Sequence, residues 1–174
     1  MRFNHSGSGW YGFSMYIPDD GSVIGSKTYI GQWHYAGVGS PLRGTSKEPL
    51  ISQVFAGSAS DMLAIKVHHD KGVEHLLMEN FKRGQWHDMV YHIKFYSNDS
   101  GLLNVWWNGK QVVNYRGPTM YRGSVTFFKF GIYTHRANEM PADNKLVVYF
   151  DEYSTGSSYE DVDPSKGSNT RVDL

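Results

Sequence analysis

The stretch Leu102–Tyr115, LLNVWWNGKQVVNY, decides the fold class. Two short runs rich in Leu, Val, Trp and Tyr flank Asn108-Gly109, the pair best suited to the two positive-φ positions of a type I′ turn, so the segment is a β-hairpin. Outward from it, alternating or apolar segments recur at short spacing: Trp10–Ile17, Thr28–Tyr35, Leu50–Phe55, Met62–His68, Glu74–Met78, Trp86–Tyr96, Val125–Tyr133 and Lys145–Tyr153. Turn signals such as PDDG, SNDSG and PADN separate them, and no stretch sustains a helical period over several turns. About ten short strands with regular punctuation predict an all-β protein. The expected architecture is a β-sandwich jelly roll of the concanavalin-like kind, two antiparallel sheets with a concave groove.

Composition agrees and narrows the function classes. The chain has 174 residues, enough for one domain with a sizeable core, 15% of them aromatic and 19 of them glycine. Lys+Arg and Asp+Glu both total 17, so there is no overall basic field for nucleic acid, and a polyanion must be held by a local patch. Cysteine is absent, which removes disulfides and cysteine-based metal or nucleophile chemistry. No apolar run has the length of a membrane span, and MRFNHSGSGWYGF lacks a signal-peptide pattern. Residues 1–174 are expected to form a single domain. Its abrupt start suggests N-terminal clipping, and its polar end, from about 163 to 174, a flexible tail over the surface.

Several strands carry polar side chains on one face. In Phe128–Arg136, FKFGIYTHR, a period of two sets Phe128, Phe130, Ile132 and Thr134 toward a core and Lys129, Gly131, Tyr133 and His135 away from it. Gly131 leaves a gap between Lys129 and Tyr133 where a flat molecule could lie. In Thr28–Tyr35 the same period groups Ile30, Gln32 and His34 against Tyr29, Gly31, Trp33 and Tyr35. In Trp86–Tyr96 it sets Met89, Tyr91, Ile93 and Phe95 against Asp88, Val90, His92, Lys94 and Tyr96, and Lys66 and His68 alternate likewise against Leu63, Ile65 and Val67. If these faces belong to one sheet, they line a groove suited to an acidic polysaccharide, with aromatics stacking on sugar rings and cations pairing with carboxylates. If the strands divide between sheets, the residues scatter and each is an ordinary solvated face.

Other templates fit poorly. There is no Gly-x-Ser-x-Gly, P-loop or His-Glu-x-x-His motif. Asp151-Glu152 and Glu160-Asp161 are neighbours that would point to opposite faces of a strand, which argues against a carboxylate-pair glycosidase. No cofactor is expected to be required; His68-His69 is a weak zinc motif, because neighbours on a strand face opposite ways, and Asp151 is a weak candidate for a structural Ca²⁺.

The blocks WYGFSMYIPDD, GQWH, GQWHDMVYHIKFYSNDSGLLNVWWNGKQVV, FFKFGIY and VVYFDEYSTGSSYEDV together resemble the jelly-roll polysaccharide lyases. The likeness is to the glucuronan lyases (polysaccharide lyase family twenty) and their heparin-lyase-like relatives, and it runs from about Trp10 to Val162. The Gln-x-His and Phe-Lys-x-Gly-x-Tyr blocks are also similar to signature blocks of alginate lyases of the same fold. The resemblance implies β-elimination on a uronic-acid polymer, glucuronan-like or alginate, by a secreted, monomeric enzyme whose partner is an acidic polysaccharide. It assigns Gln32, His34 and Tyr133 to catalysis, and Lys129, His135, Arg136, Arg2, His92 and Lys94 to substrate binding. The related lyases also carry an Arg-x-Glu block on an earlier strand; here Arg2-Phe3-Asn4 stands there, with the Arg and without the Glu.

The chemistry gives these residue types their reasons. Removing the C5 proton of a uronate builds charge on its carboxylate, which Gln32 with an Arg or His would stabilise. A base must reach C5 and an acid must protonate the departing O4. Tyr133 suits the acid and either Tyr133 or His34 the base, although a tyrosine, titrating near pH ~10 when unperturbed, needs cationic neighbours to act as a base near neutrality. The alternative function is a lectin-like β-sandwich that binds the polymer without cleaving it.

Overall fold

The computed structural model describes residues 7–36, 48–56, 61–135 and 137–170. Among the described residues ten strands divide between two antiparallel sheets: β1 (Gly7–Tyr16), β2 (Thr28–Ala36), β3 (Ile51–Phe55), β4 (Met62–His69), β5 (Gly72–Asn80), β6 (Trp86–Phe95), β7 (Leu102–Trp107), β8 (Lys110–Arg116), β9 (Val125–Thr134) and β10 (Tyr149–Gly156). The first sheet has the order β10-β1-β6-β7-β8 and the second β5-β4-β3-β2-β9. The β7–β8 turn is the expected one, with Asn108 and Gly109 at φ 49° and 76°.

Each sheet contributes its alternate residues to one core, as a period-two pattern requires. The first supplies Tyr11, Phe13, Met15, Met89, Tyr91, Ile93, Phe95, Leu103 and Val105; the second supplies Trp33, Ile51, Phe55, Leu63, Ile65 and Val67. Trp33 sits at the middle, its ring 4.7 Å from Tyr91, 5.3 Å from Tyr11 and 4.4 Å from Phe128. The buried Gln53 amide donates to the Tyr91 hydroxyl between the sheets. Gly31 lies beside it, where a Cβ would stand 2.5 Å from Gln53 Oε1, so any side chain at this position would have to displace the amide.

Two expectations about the core face are corrected. Phe130 and Ile132 are 49% and 45% exposed rather than buried. They belong to β9, the outermost strand of its sheet, and face the outermost strand of the other: the Phe130 ring packs on Phe150 at 4.9 Å and Tyr153 at 5.7 Å along the open side of the sandwich. On β2, the step from Tyr29 to Gly31 advances the partner β3 only from Val54 to Gln53, so Ile30 is an extra residue. This β-bulge reverses the alternation. Ile30 joins the main core, while Tyr29 turns outward to pack with Val54 and Ala64 on the face that Gln32 shares.

The segment 158–170 is built onto the first sheet. A single helical turn, α1 (Tyr159–Val162), is held by a capping box in which Ser158 and Asp161 exchange hydrogen bonds, and Val162 is buried against Gly12. A 3₁₀ segment, Pro164–Thr170, follows it along β10, β6 and β1. Among the described residues no helix is long and apolar enough to cross a membrane.

Candidate active site

The outward face of the second sheet is ordered by its register. Residues directly opposite one another on neighbouring strands share a face. One such row crosses all five strands: His75 opposite Lys66, Lys66 opposite Ser52, Ser52 opposite Gln32, and Gln32 opposite Lys129. At ~4.8 Å per strand it spans about 19 Å. It is a line of cations and hydrogen-bond donors. The neighbouring row, Met78, Ala64, Val54, Tyr29 and Tyr133, is largely apolar; Ala64, Val54 and Tyr29 are buried, and Met78 and Tyr133 at its two ends are exposed.

Gln32, Lys129 and Tyr133 line a cleft of about 250 Å³ together with Ile30, Phe130, Gly131 and Ile132. Gln32 is 6% exposed and forms part of the floor, whereas Tyr133 is 58% exposed at the rim. Gly131, at φ 129°, carries the strand through a conformation that side chains rarely adopt and leaves the space between Lys129 and Tyr133 open. Tyr133 stands opposite Tyr29, their rings 6.0 Å apart, and Gln32 is three residues along β2 from Tyr29. That places the Gln32 and Tyr133 backbones ~11 Å apart, a span their two side chains can close on one sugar.

His34 lies on the same face, opposite Phe127, with its ring 5.8 Å from that phenyl ring and 5.0 Å from Tyr35. Its Nδ1 is 3.1 Å from the Tyr35 carbonyl oxygen. A carbonyl only accepts, so Nδ1 carries the hydrogen and Nε2 is the basic nitrogen. Five residues along β2 separate His34 from Tyr29 and hence from the level of Tyr133, about 15 Å of backbone. Deeper in the sheet His68 uses Nδ1 in the same way, toward the Pro49 carbonyl at 2.9 Å, and its pKa is lowered first by burial and further by Lys66 and His75. The Tyr29 hydroxyl donates to Glu48 Oε2 at 2.7 Å; burial and that carboxylate raise its pKa, which keeps it a phenol.

The structure divides the remaining candidates. His135 follows β9 at an exposed position, its backbone N–H bonded to the Lys27 carbonyl. His92 and Lys94 lie on β6, in the first sheet, and point outward on the far side of the sandwich, so they do not join this cleft. Arg2 and Arg136 lie outside the described residues. Asp151 is exposed and Oδ1 of its carboxylate accepts the Glu152 N–H; among the described residues no group of three or more His, Asp or Glu stands together as a metal site. Tyr29, Ser52 and His75 belong to this face without having been singled out. Ser52 was visible as a polar member of Ile51-Ser52-Gln53-Val54; Tyr29 was hidden by the bulge, whose one local signal is Gly31, the glycine next to the extra residue Ile30.

Residues 1–154 match the family model for polysaccharide lyases. The chain belongs to the polysaccharide lyase family. Among curated proteins none matches it. Solved structures share its fold. An endo-β-1,4-glucuronan lyase from the fungus Trichoderma reesei superposes with a TM-score of 0.76 at 20% identity, over 93% of this chain and 73% of that one. An alginate lyase from Pseudomonas aeruginosa gives 0.58 at 20% identity, over 90% and 68%. The alginate lyase Aly36B, solved as a mutant with an alginate trisaccharide, gives 0.61 at 9% identity, over 88% and 71%. This polysaccharide lyase therefore has the two-sheet sandwich of glucuronan and alginate lyases.

Proposed function

We propose that this polysaccharide lyase cleaves a uronic-acid polymer, glucuronan-like in the first instance and alginate in the second, by β-elimination at the outward face of its second sheet. The observation that carries the reading is the row His75, Lys66, Ser52, Gln32 and Lys129 running beside Tyr133. A line of donors and cations about 19 Å long, with Lys129 exposed at its rim and Gln32 and Ser52 buried in its floor, suits a chain of carboxylated sugars, and the exposed Tyr133 ring beside it can meet a sugar ring.

In this reading the uronate carboxylate is held at Gln32, with Lys129 at the rim. Donors placed there stabilise the charge that grows as the C5–H bond breaks. The electron pair of that bond forms the C4–C5 double bond, the C4–O4 bond breaks, and O4 takes a proton. Tyr133 is exposed at the cleft and supplies that proton. The ~15 Å of backbone between His34 and Tyr133 favours one residue for both proton transfers, with Tyr133 taking the C5 proton and returning one to O4, and His34 serving the carboxylate or the neighbouring sugar. The step calls on no cofactor. An extended polyuronate is met outside the cell, so secretion belongs to the same proposal.

The test is a panel of uronate polymers assayed for new ultraviolet absorbance from the unsaturated product. Glucuronan, or failing it alginate, should yield product. Binding of these polymers without any absorbance change would replace the reading with a non-cleaving, lectin-like one.

A further inference from the structure

The outward face of the first sheet carries aromatic rings that its core does not require. Trp10 on β1 stands opposite His92 on β6, which stands opposite Asn104 on β7 and then Asn114 on β8. The Trp10 and His92 rings are parallel to within 2°, with centroids 4.2 Å apart, and Trp106 lies 5.5 Å from Trp10 at 25°. Ser8 Oγ is 3.0 Å from His92 Nε2 and fixes the imidazole in that plane. Tyr159 of α1 meets Trp10 and Trp106 edge-on at 6.4 and 5.4 Å, and so closes one end of the cluster. The other end is open. There the next row places Lys94 opposite Leu102 and Leu102 opposite Arg116, and Lys94, Asn114 and Arg116 are all exposed.

We propose that this face is a second, non-catalytic saccharide platform, which holds a uronate-bearing stretch of the polymer on the side of the sandwich opposite the cleft. The inference rests on the substrate class proposed above. Stacked flat rings on a solvent face offer a sugar ring the apolar surface it lies against, and the neighbouring amides offer partners for its hydroxyls. Lys94 is two residues from His92, about 7 Å along the strand, which sets a cation one sugar-ring width from the stack. Arg116, two strands further across, gives a second charge for the carboxylates of a chain crossing β6, β7 and β8. Two carboxylates of this face, Asp88 and Asp151, both stand opposite Ser14, on the other side of the Trp10 row from Lys94, and Asp88 accepts a hydrogen bond from Ser14 Oγ at 2.7 Å. A platform separate from the cleft acts through effective concentration: a long polymer reaches both sites and a short oligosaccharide only one.

The experiment is an NMR titration of the full chain as Tyr133→Phe, which leaves the oligosaccharide intact, using a glucuronan hexasaccharide as the probe. The side-chain N–H signals of Trp10, Trp106 and Gln32 report the two faces. Both sets are expected to move and saturate. The double substitution Lys94→Ala/Arg116→Ala, at two exposed positions, should weaken the tryptophan titration at least about 5-fold and leave that of Gln32 unchanged. In the chain with Tyr133 intact, the same double substitution should raise KM for long polymer and not for the hexasaccharide. Gln32 moving while both tryptophans stay still, or tryptophans titrating equally well without Lys94 and Arg116, overturns the platform and leaves the cleft reading standing. If neither set moves with hexasaccharides of glucuronan or alginate, the uronate reading of the cleft falls and the platform with it.

Discussion

Gln32 on β2 stands directly opposite Lys129 on β9, one buried and one exposed, at the floor and rim of the same cleft. The difference in burial predicts different losses. Gln32→Ala removes a preorganised donor from a partly dry site and should lower kcat about 100-fold, roughly 3 kcal/mol in the transition state. Lys129→Ala removes a screened charge and should mainly raise KM, by a factor that shrinks as salt is added. Steady-state kinetics at two ionic strengths separates the cases, and equal effects from the two substitutions would contradict the assignment.

His34→Ala distinguishes the two candidate bases. With Tyr133 serving both proton transfers, the variant should keep a measurable rate, reduced about 10- to 100-fold by loss of a partner for the carboxylate. Complete loss of turnover in a folded variant would make His34 the base and require the side chains of His34 and Tyr133 to converge across the face.

Gly31→Ala tests how the cleft floor is supported. The added Cβ meets Gln53 Oε1, and that amide cannot swing aside without giving up the Tyr91 hydroxyl. Forcing a methyl group into this packed position should cost about 1–3 kcal/mol. Urea unfolding measures it, and unchanged stability would show that the amide is free to move.

Acidification should destabilise the fold before any carboxylate titrates. His87 accepts the Trp107 Nε1–H at Nδ1, 2.8 Å away, and donates from Nε2 to the Lys82 carbonyl at 2.7 Å, so both nitrogens are used in the neutral form. Burial lowers its pKa, as it does for His68 and for His92, where Lys94 adds to the effect. The unfolded chain therefore takes up protons first. Stability is full above the unfolded histidine pKa of ~6.5, falls as the pH drops below it, and levels off once the lowered folded values are passed. Thermal unfolding between pH 8 and pH 5 should show Tm falling; a flat or rising Tm would contradict this.

Much of this was legible in the sequence, because alternation and turn residues act locally. Asn108-Gly109 marked the hairpin, and the inward set Met89, Tyr91, Ile93 and Phe95 is buried as its period demands. Pairing is not local. Nothing in Trp86–Phe95 says that β6 joins β1 and β7 rather than β2, yet that choice carries His92 and Lys94 to the far side of the molecule. The bulge at Ile30 turned Tyr29 outward and Ile30 toward the core; Gly31 beside it is a signal, since a glycine inside a strand often marks a bulge, but it does not say which neighbour is the extra residue. Phe130 and Ile132 have the period of a core strand and lose its burial because β9 has no neighbour beyond it among the described residues.

The central claim is that Tyr133 performs proton transfer in a β-elimination, and the most direct measurement compares Tyr133→Phe with the unsubstituted chain on its preferred uronate polymer, following unsaturated product by ultraviolet absorbance. The ring of Tyr133 is mostly in solvent, so its hydroxyl can be removed with little effect on Tm. The account predicts a fall in kcat of at least about 100-fold with the fold intact. Wild-type turnover by Tyr133→Phe would contradict it and move the chemistry away from this cleft.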